Sequence, residues 1–424
     1  MIILYRLFVW LYRWGALCIS PFNKKARLWL TGRKNIFELL GAQLADSEAK
    51  LVWFHCASLG EFEQARPLIE LIRNQFPDNK ILLTFFSPSG YEIRKNYPIA
   101  DYVSYIPMDG PLNAQKFLGI VQPSLVIWVK YEYWLYYLTE IKKRNIPLLL
   151  VSGIFREGQP FFRWYGGLHR KMLSCFTWFF VQNDASKRLL GAIGLTENVT
   201  VCGDTRFDRV IEIASQFQQI STIDKFVNNK TVIVAGSTWQ EDEEELDHFA
   251  NFHPDIKFII APHEIDEEHL KDIEKLYHRS VRYSVFESNT TDVGWLPEFN
   301  KANVLLIDNI GMLASLYHYA TIAYLGGGFG DDGVHNVLEA AVYGKPVIFG
   351  PVYEKYAEAT GLVDCGAAFP VENSLELEKT LNNLLENDSA YREACSAAKE
   401  YVYANRGATE KITSFIQEKR LLTN

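Results

Sequence analysis

At 424 residues the chain is too long for one ordinary hydrophobic core, and its 48% hydrophobic and 22% charged residues are those of a folded globular protein, so two domains are expected. The net charge of −8 conceals an asymmetry: residues 1–36 hold seven basic side chains (Arg6, Arg13, Lys24, Lys25, Arg27, Arg33, Lys34) and no acid. The rest of the chain is therefore strongly acidic, which argues against a general nucleic-acid binder, and the six scattered cysteines form no C-x-x-C pair, which argues against a zinc site or a disulfide framework.

The chain opens with the apolar run MIILYRLFVWLYRWGALCISPF, interrupted by Arg6 and Arg13. Seven residues apart, these arginines share one helical stripe. Pro21-Phe22-Asn23 does not resemble a signal-peptide cleavage site. Three readings stay open: a helix in the headgroup region, a short span with snorkelling arginines, and a buried first helix of a soluble domain. In the first two, the basic run 24–34 would lie against anionic lipid.

From residue 51 onward, β-rich runs alternate with amphipathic patterns, the signature of parallel sheets with crossover helices. Strands are expected at 51–56, 80–85, 102–106, 125–129, 147–151 and 176–181, with helices such as 60–75 and 132–144 between them. The polar stretch 212–230 reads as a connection. A second series follows, with strands at 231–235, 257–261, 304–307, 321–324 and 346–349 and helices at 241–251, 266–277 and 334–343. The fold class is α/β, with two Rossmann-like parallel-sheet domains facing a cleft and ligands beyond the carboxyl ends of the strands.

Chemistry-bearing residues collect at those ends. The first strand runs into His55-Cys56-Ala57-Ser58-Leu59-Gly60-Glu61. Glu61 is either a positioned general base or a first-turn acid favoured by the helix dipole. Ser87-Pro88-Ser89-Gly90 is a second strand-to-helix turn, suited to an anion or explained by helix capping. In the second half, Gly326-Gly327-Gly328-Phe329-Gly330 leads to Gly333-Val334-His335-Asn336-Val337-Leu338-Glu339. The glycines permit close approach to a phosphate or serve a structural turn, and Asn336 and Glu339 would share a helical face, where a carboxylate can accept two ribose hydroxyls. Ser237, Pro262 with His263, and Asp308 with Gly311 mark three further strand ends. Asp331-Asp332 lacks the spacing of a metal site and reads as a solvated acidic turn, so neither metal nor cofactor is expected.

In this order and spacing the motifs resemble those of the Kdo transferases of lipopolysaccharide assembly, GT-B glycosyltransferases, over nearly the whole chain. Ala57-Ser58-Leu59-Gly60-Glu61 is similar to the family's A-S-x-G-E, which implies Glu61 as general base. Ser87-Pro88-Ser89-Gly90 resembles T-S-P-T-G, placing Ser58, Gly60, Ser87 and Ser89 on the acceptor side. Gly203-Asp204-Thr205-Arg206-Phe207-Asp208 resembles G-N-x-K-F-D, with Arg206 at the family's charge-stabilising lysine. Gly236-Ser237-Thr238 matches G-S-T, and residues 333–339 resemble G-G-H-N-x-x-E. A CMP-binding set of Ser237, Pro262, His263, Gly311, Met312, Leu313, Gly327, Gly328, Asn336 and Glu339 follows from the resemblance.

Four places depart from the family pattern. E-T-E-L-W is Lys130-Tyr131-Glu132-Tyr133-Trp134, so Lys130 replaces an acid beside Glu132, and the resemblance implies both as further catalytic residues. A-P-R-H is Ala261-Pro262-His263-Glu264, so an arginine is missing and His263 stands in its place. G-E-L is Gly311-Met312-Leu313, and the second glycine of G-G-H-N is Val334. The resemblance implies inverting transfer of Kdo from CMP-Kdo to a lipid A precursor at the cytoplasmic face of the inner membrane. The implied organisation is a membrane-associated helix and basic flank (1–34), an acceptor domain (35–211), a linker (212–230), a nucleotide-sugar domain (231–405), and a terminal helix (406–424) that packs back on the first domain. Rival readings are another GT-B enzyme using a UDP-sugar and a lipid-linked acceptor, a two-domain sugar-nucleotide epimerase, and a non-catalytic membrane scaffold.

Overall fold

The computed structural model describes residues 1–45, 49–130, 132–289, 301–331 and 333–422. The chain divides into two compact units, Met1–Arg209 with Arg406–Asn424, and Val210–Asn405. Among the described residues each unit is built on a seven-stranded parallel sheet.

In the first unit the strands are β1 (Leu51–Cys56), β2 (Lys80–Phe85), β3 (Tyr102–Tyr105), β4 (Leu125–Val129), β5 (Leu148–Gly153), β6 (Trp178–Val181) and β7 (Val199–Val201), in the order β3-β2-β1-β4-β5-β6-β7. β1 is buried on both faces, as its unbroken LVWFHC run requires of a central parallel strand. Trp53 packs to one side, against Phe117, Trp128 and Tyr137. Val52, Phe54 and Cys56 pack to the other, in one core with Phe62, Leu68 and Ile72 of the helix that follows β1. That second core also takes in Ala408, Ile412 and Ile416 of the terminal helix Ala408–Glu418.

Asp208 ties this terminal helix down. Its two oxygens accept from the backbone N–H of Gly407 (2.6 Å) and Thr409 (2.7 Å), capping donors that a helix start leaves open. Asp208→Ala should lower stability by about 1–2 kcal/mol, read as an earlier thermal transition, and Asp208→Asn should recover part of it. An unchanged melt in Asp208→Ala would remove this role.

The helices that precede β1 are α1 (Ile2–Ile19), α2 (Lys24–Thr31) and α3 (Ile36–Leu44). α2 and α3 bury Trp29, Ile36 and Leu40 in the Trp53 core. α1 contributes no fully buried residue, so it is not a core helix. One edge of it is nonetheless docked on the first unit. Tyr5 donates to Asp109 (2.6 Å) and accepts from Leu135 N–H (3.1 Å), Arg6 bonds Tyr136, and Tyr12 stacks edge-on against Trp29. Burial pushes the Asp109 carboxyl up to about 6, against the lowering effect of the Tyr5 hydroxyl and the Tyr136 and Tyr137 amides. The outward face is apolar, with Ile3 80% and Leu4 67% exposed. Among the described residues this is the one helix long and apolar enough to cross a membrane.

The second unit holds β8 (Val232–Thr238), β9 (Lys257–Pro262), β10 (Ser280–Arg282), β11 (Val304–Leu306), β12 (Ile322–Leu325), β13 (Val347–Phe349) and β14 (Ala368–Pro370), in the order β10-β11-β9-β8-β12-β13-β14. The stretch 212–230 is largely helical rather than an open tether. Helix Thr205–Ser215 runs into it, and helix Ser221–Val227 buries Ile223 and Phe226. The expected helix 334–343 shrinks to Leu338–Ala341, and the residues before it are held by other parts of the fold, with Val334 N–H bonded to Val352 O and His335 N–H to Gly326 O.

Candidate active site

Parallel sheets offer ligand sites beyond the carboxyl ends of their strands, where the strand order reverses. In the first unit that reversal lies between β1 and β4, and in the second between β8 and β12. The motif residues of the sequence follow these four strands: Ser58, Gly60 and Glu61 after β1, Lys130 and Glu132 after β4, Ser237 at the end of β8, and Gly327 and Gly328 after β12. Tyr131 lies outside the described residues.

Glu61 is the third residue of helix α4 (Leu59–Gln75) and closes a capping box with Ser58. The Ser58 amide (3.1 Å) and hydroxyl both donate to Oε2. Its other oxygen, Oε1, accepts no hydrogen bond among the described residues, so the carboxylate is held by one oxygen and open at the other. The Ser87 turn is joined to this one by a backbone bond from Ser87 N–H to Ala57 O (2.8 Å). Ser87 caps helix Pro88–Arg94 and its hydroxyl lies 3.0 Å from that of Ser89, so the capping reading holds for Ser87 too.

Glu132 is more tightly held. Its Oε2 accepts from Trp134 Nε1 (3.0 Å) and meets His55 Nε2 at 3.2 Å. His55 is fully buried, its Nδ1 2.9 Å from Thr84 Oγ1 and its ring 4.2 Å from that of Trp128. An ionised carboxylate only accepts, so Nε2 carries the proton toward Glu132. Sequence reasoning passed over His55. Its position three residues before Ser58, at a strand end, was the available signal.

Arg206, in the first turn of helix Thr205–Ser215, is paired with the residue just before that helix. Its Nε and Nη2 lie 2.9 and 2.8 Å from Oδ2 of Asp204, which also accepts from Gln182 Nε2 (2.8 Å). Burial would raise the Asp204 carboxyl, but the charges of Arg206 and Lys130 hold it below the usual carboxylate range. Lys130, at the place of an expected acid, thus adds positive charge to the same edge. Thr205 pins the start of its helix to α4 through a 2.6 Å bond to Gln64 O.

In the second unit, the next-to-last residue of β8, Ser237, lies in the left-handed region (φ 54°). Gly326 passes so close that a Cβ there would stand 2.3 Å from Ser237 O, and one at Gly328 would stand 2.5 Å from Gly350 N. Close backbone packing therefore accounts for these two glycines, whatever the loop binds. Asp242, which sequence reasoning missed, ties the loop to β8. This buried carboxylate accepts from Gly327 N–H (2.8 Å), Trp239 N–H (2.9 Å) and the Tyr324 hydroxyl (2.7 Å). Burial raises its pKa despite those three donors.

Pro262 is the last residue of β9, and the His263 ring beside it stacks between Trp239 (4.5 Å) and His335 (4.7 Å). Gly311 (φ 105°) and Met312 lead into the short helix Leu313–Leu316. Asn336 and Glu339 stand together without a long helix, Asn336 Nδ2 donating to Glu339 Oε1 at 3.0 Å. Asn336 Oδ1 is buried with no protein partner. A buried acceptor without a donor is costly, and a ligand hydroxyl would supply one. If the CMP that the sequence resemblance implies is held here, Glu339→Ala weakens its binding by about 1–3 kcal/mol. Calorimetry finding wild-type affinity in the folded variant would count against this placement.

Three comparisons bear on identity. The family model for 3-deoxy-D-manno-octulosonic-acid transferase (kdotransferase) matches residues 34–209. A bifunctional glycosyltransferase/methyltransferase of Fusobacterium nucleatum is 29% identical over 394 residues, which is 90% of this chain and 57% of that protein. The 3-deoxy-D-manno-octulosonic acid transferase of Rickettsia prowazekii is 29% identical over 357 residues, 81% of this chain and 73% of that one. That of Aquifex aeolicus is 28% identical over 347 residues, 79% and 86%. Among solved structures, UDP-GlcNAc 2-epimerase from Neisseria meningitidis superposes with a TM-score of 0.61 at 18% identity, over 87% of this chain and 100% of that one, a likeness of fold. With the motif turns at both sheet reversals, these relationships support the 3-deoxy-D-manno-octulosonic acid (Kdo) transferases as the glycosyltransferase family that this chain resembles.

Proposed function

We propose that the protein transfers Kdo from CMP-Kdo to a hydroxyl of a lipid A precursor, lipid IVA, with inversion, at the cytoplasmic face of the inner membrane. The observation that carries this reading is the open oxygen of Glu61. A carboxylate fixed through one oxygen and free at the other, beside two serine-bearing turns at a sheet reversal, suits a general base for an acceptor hydroxyl. The acceptor oxygen forms its bond to the anomeric carbon as the bond from that carbon to the CMP phosphate breaks. The hydroxyl proton passes to Glu61, and the electron pair leaves with CMP. Arg206 is assigned to stabilise the charge that grows on the phosphate. Asn336 and Glu339 are assigned to the ribose hydroxyls, and Ser237, His263 and the backbone of Gly327, Gly328 and residues 311–313 to the rest of the nucleotide. His263 takes the place of the family arginine. The docked face of α1 favours a helix lying in the headgroup region, its outward apolar side in lipid and the basic residues 24–34 toward anionic headgroups.

The test incubates purified protein with lipid IVA and either CMP-Kdo or UDP-GlcNAc. Kdo-bearing product from CMP-Kdo alone supports the proposal. Turnover of UDP-GlcNAc alone, by transfer or epimerisation, replaces it with a UDP-sugar activity.

A further inference from the structure

α1 carries more features than a membrane anchor needs. Its residues Tyr5, Phe8, Tyr12, Gly15, Ala16 and Ile19 follow one another at spacings that put them on a single stripe, and this stripe faces the first unit. Two grooves open along it. One, of about 470 Å³, runs from Gly15, Ala16 and Ile19 over Trp29 to Phe86, Ser87 and Pro88. The other, of about 540 Å³, runs from Tyr5 and Phe8 past Phe161 and Met172 to Glu132. Tyr12 is packed onto Trp29 (5.5 Å) and Phe86 (5.7 Å). The first groove ends at Ser87, whose amide is bonded to Ala57, the residue before Ser58 and three short of Gly60. On the other flank of α1 lies a pocket of about 410 Å³ with Arg13, Arg33 and Lys34 in its wall and no carboxylate among its lining residues. Arg33 spends its guanidinium on the carbonyls of Trp29, Phe86 and Ile106, whereas Arg13 and Lys34 form no ion pair among the described residues.

Apolar channels that begin at a lipid-facing helix and end at the Ser87 turn and at Glu132, beside a pocket of unspent positive charge, match one kind of occupant: a phosphorylated glycolipid with several acyl chains. We propose that α1 forms a wall of the acceptor site, its grooves holding the acceptor's acyl chains while Arg13 and Lys34 take one of its phosphates. This inference rests on the function proposed above and specifies how the acceptor is chosen. A chain seated between α1 and Phe86 keeps the headgroup beside Ser58 and Glu61. Acylated and deacylated acceptors are then discriminated even where no bilayer is present, which an anchor alone would not do.

The experiment compares lipid IVA with its fully deacylated disaccharide bisphosphate in detergent micelles, using the full-length protein. A Cβ on Gly15 meets nothing within 4 Å, so Gly15→Trp fills the groove without backbone strain. The outward Leu11→Trp serves as control. The expected result is a wild-type preference for the acylated acceptor in kcat/KM, reduced about ten-fold or more by Gly15→Trp through KM and retained by Leu11→Trp. Equal use of both acceptors by the wild type, or an unaltered preference in Gly15→Trp, overturns the inference and leaves the transfer reaction standing. No transfer to either acceptor overturns the proposed function and this inference together. A lipid IVA analogue with a photoactivatable acyl chain, applied to the wild type, gives a reading independent of folding in the variants. Labelling around Gly15 and Phe86 supports the groove, and labelling confined to the outward residues Leu4 and Leu11 overturns it.

Discussion

Replacing Glu61 by Gln is expected to lower turnover by about 10²–10⁴-fold, because the amide keeps the shape and acceptor oxygen of the side chain and removes its basicity. The structure gives this residue a capping duty and the proposed function gives it a chemical one, and the substitution separates them. The capping duty needs only an oxygen that accepts from Ser58, which Gln supplies, so stability should change by less than about 1 kcal/mol. The chemical duty needs a proton acceptor at the open oxygen, which Gln lacks. CMP binding, assigned to the second unit, should stay at its wild-type value. Single-turnover transfer and thermal melting on the same protein decide the matter. A variant with full activity would leave Glu61 a helix cap and move the base to Glu132. That would be surprising on geometry, since Glu132 already accepts from Trp134 and meets His55.

The second large effect belongs to Asp242. In Asp242→Ala the Gly327 amide, the Trp239 amide and the Tyr324 hydroxyl lose their common buried acceptor. Each orphaned donor costs about 1–3 kcal/mol, and because the three share one carboxylate the sum is not additive, so a loss of about 3–5 kcal/mol is expected. The glycine loop should lose its fixed position with it, and CMP affinity should fall together with the melting temperature. Asp242→Asn should be intermediate, since its NH₂ group would face one of the three donors. Wild-type melting and wild-type CMP affinity in Asp242→Ala would show that the loop holds its place by backbone packing alone.

The strands 51–56, 80–85 and 125–129 could be read because a central parallel strand is a short unbroken apolar run, a property of consecutive residues. β7, β10 and β14 could not: each is an edge strand whose sequence (VTV, SVR, AFP) carries a polar residue or a proline, whereas the equally short inner strands β11 (VLL) and β13 (VIF) are unbroken apolar runs. The expected helix 334–343 failed for a different reason. Val334, Val337, Leu338 and Ala341 have helical spacing, but the chain before Leu338 follows a loop path bonded to Gly326 and Val352 in other parts of the fold. Spacing shows which faces are apolar and does not show where a backbone hydrogen bond goes.

By itself the sequence determined the two α/β halves, the strand ends at which chemistry-bearing residues gather, and the family resemblance, because each rests on local order along the chain. Only the tertiary structure decided that those ends are the sheet reversals, since strand order is set by how crossovers pack and not by neighbours in sequence. It also decided the pairs that hold the site, His55 with Glu132 and Asp242 with Gly327, which join residues 77 and 85 positions apart. α1 shows the division most plainly. Its composition marks it as a lipid-facing helix, yet that it also docks on the first unit depends on groups far along the chain, Asp109 and the Leu135 amide 104 and 130 residues from Tyr5 and Phe86 beyond Tyr12, whose partnership exists only once the sheet has formed.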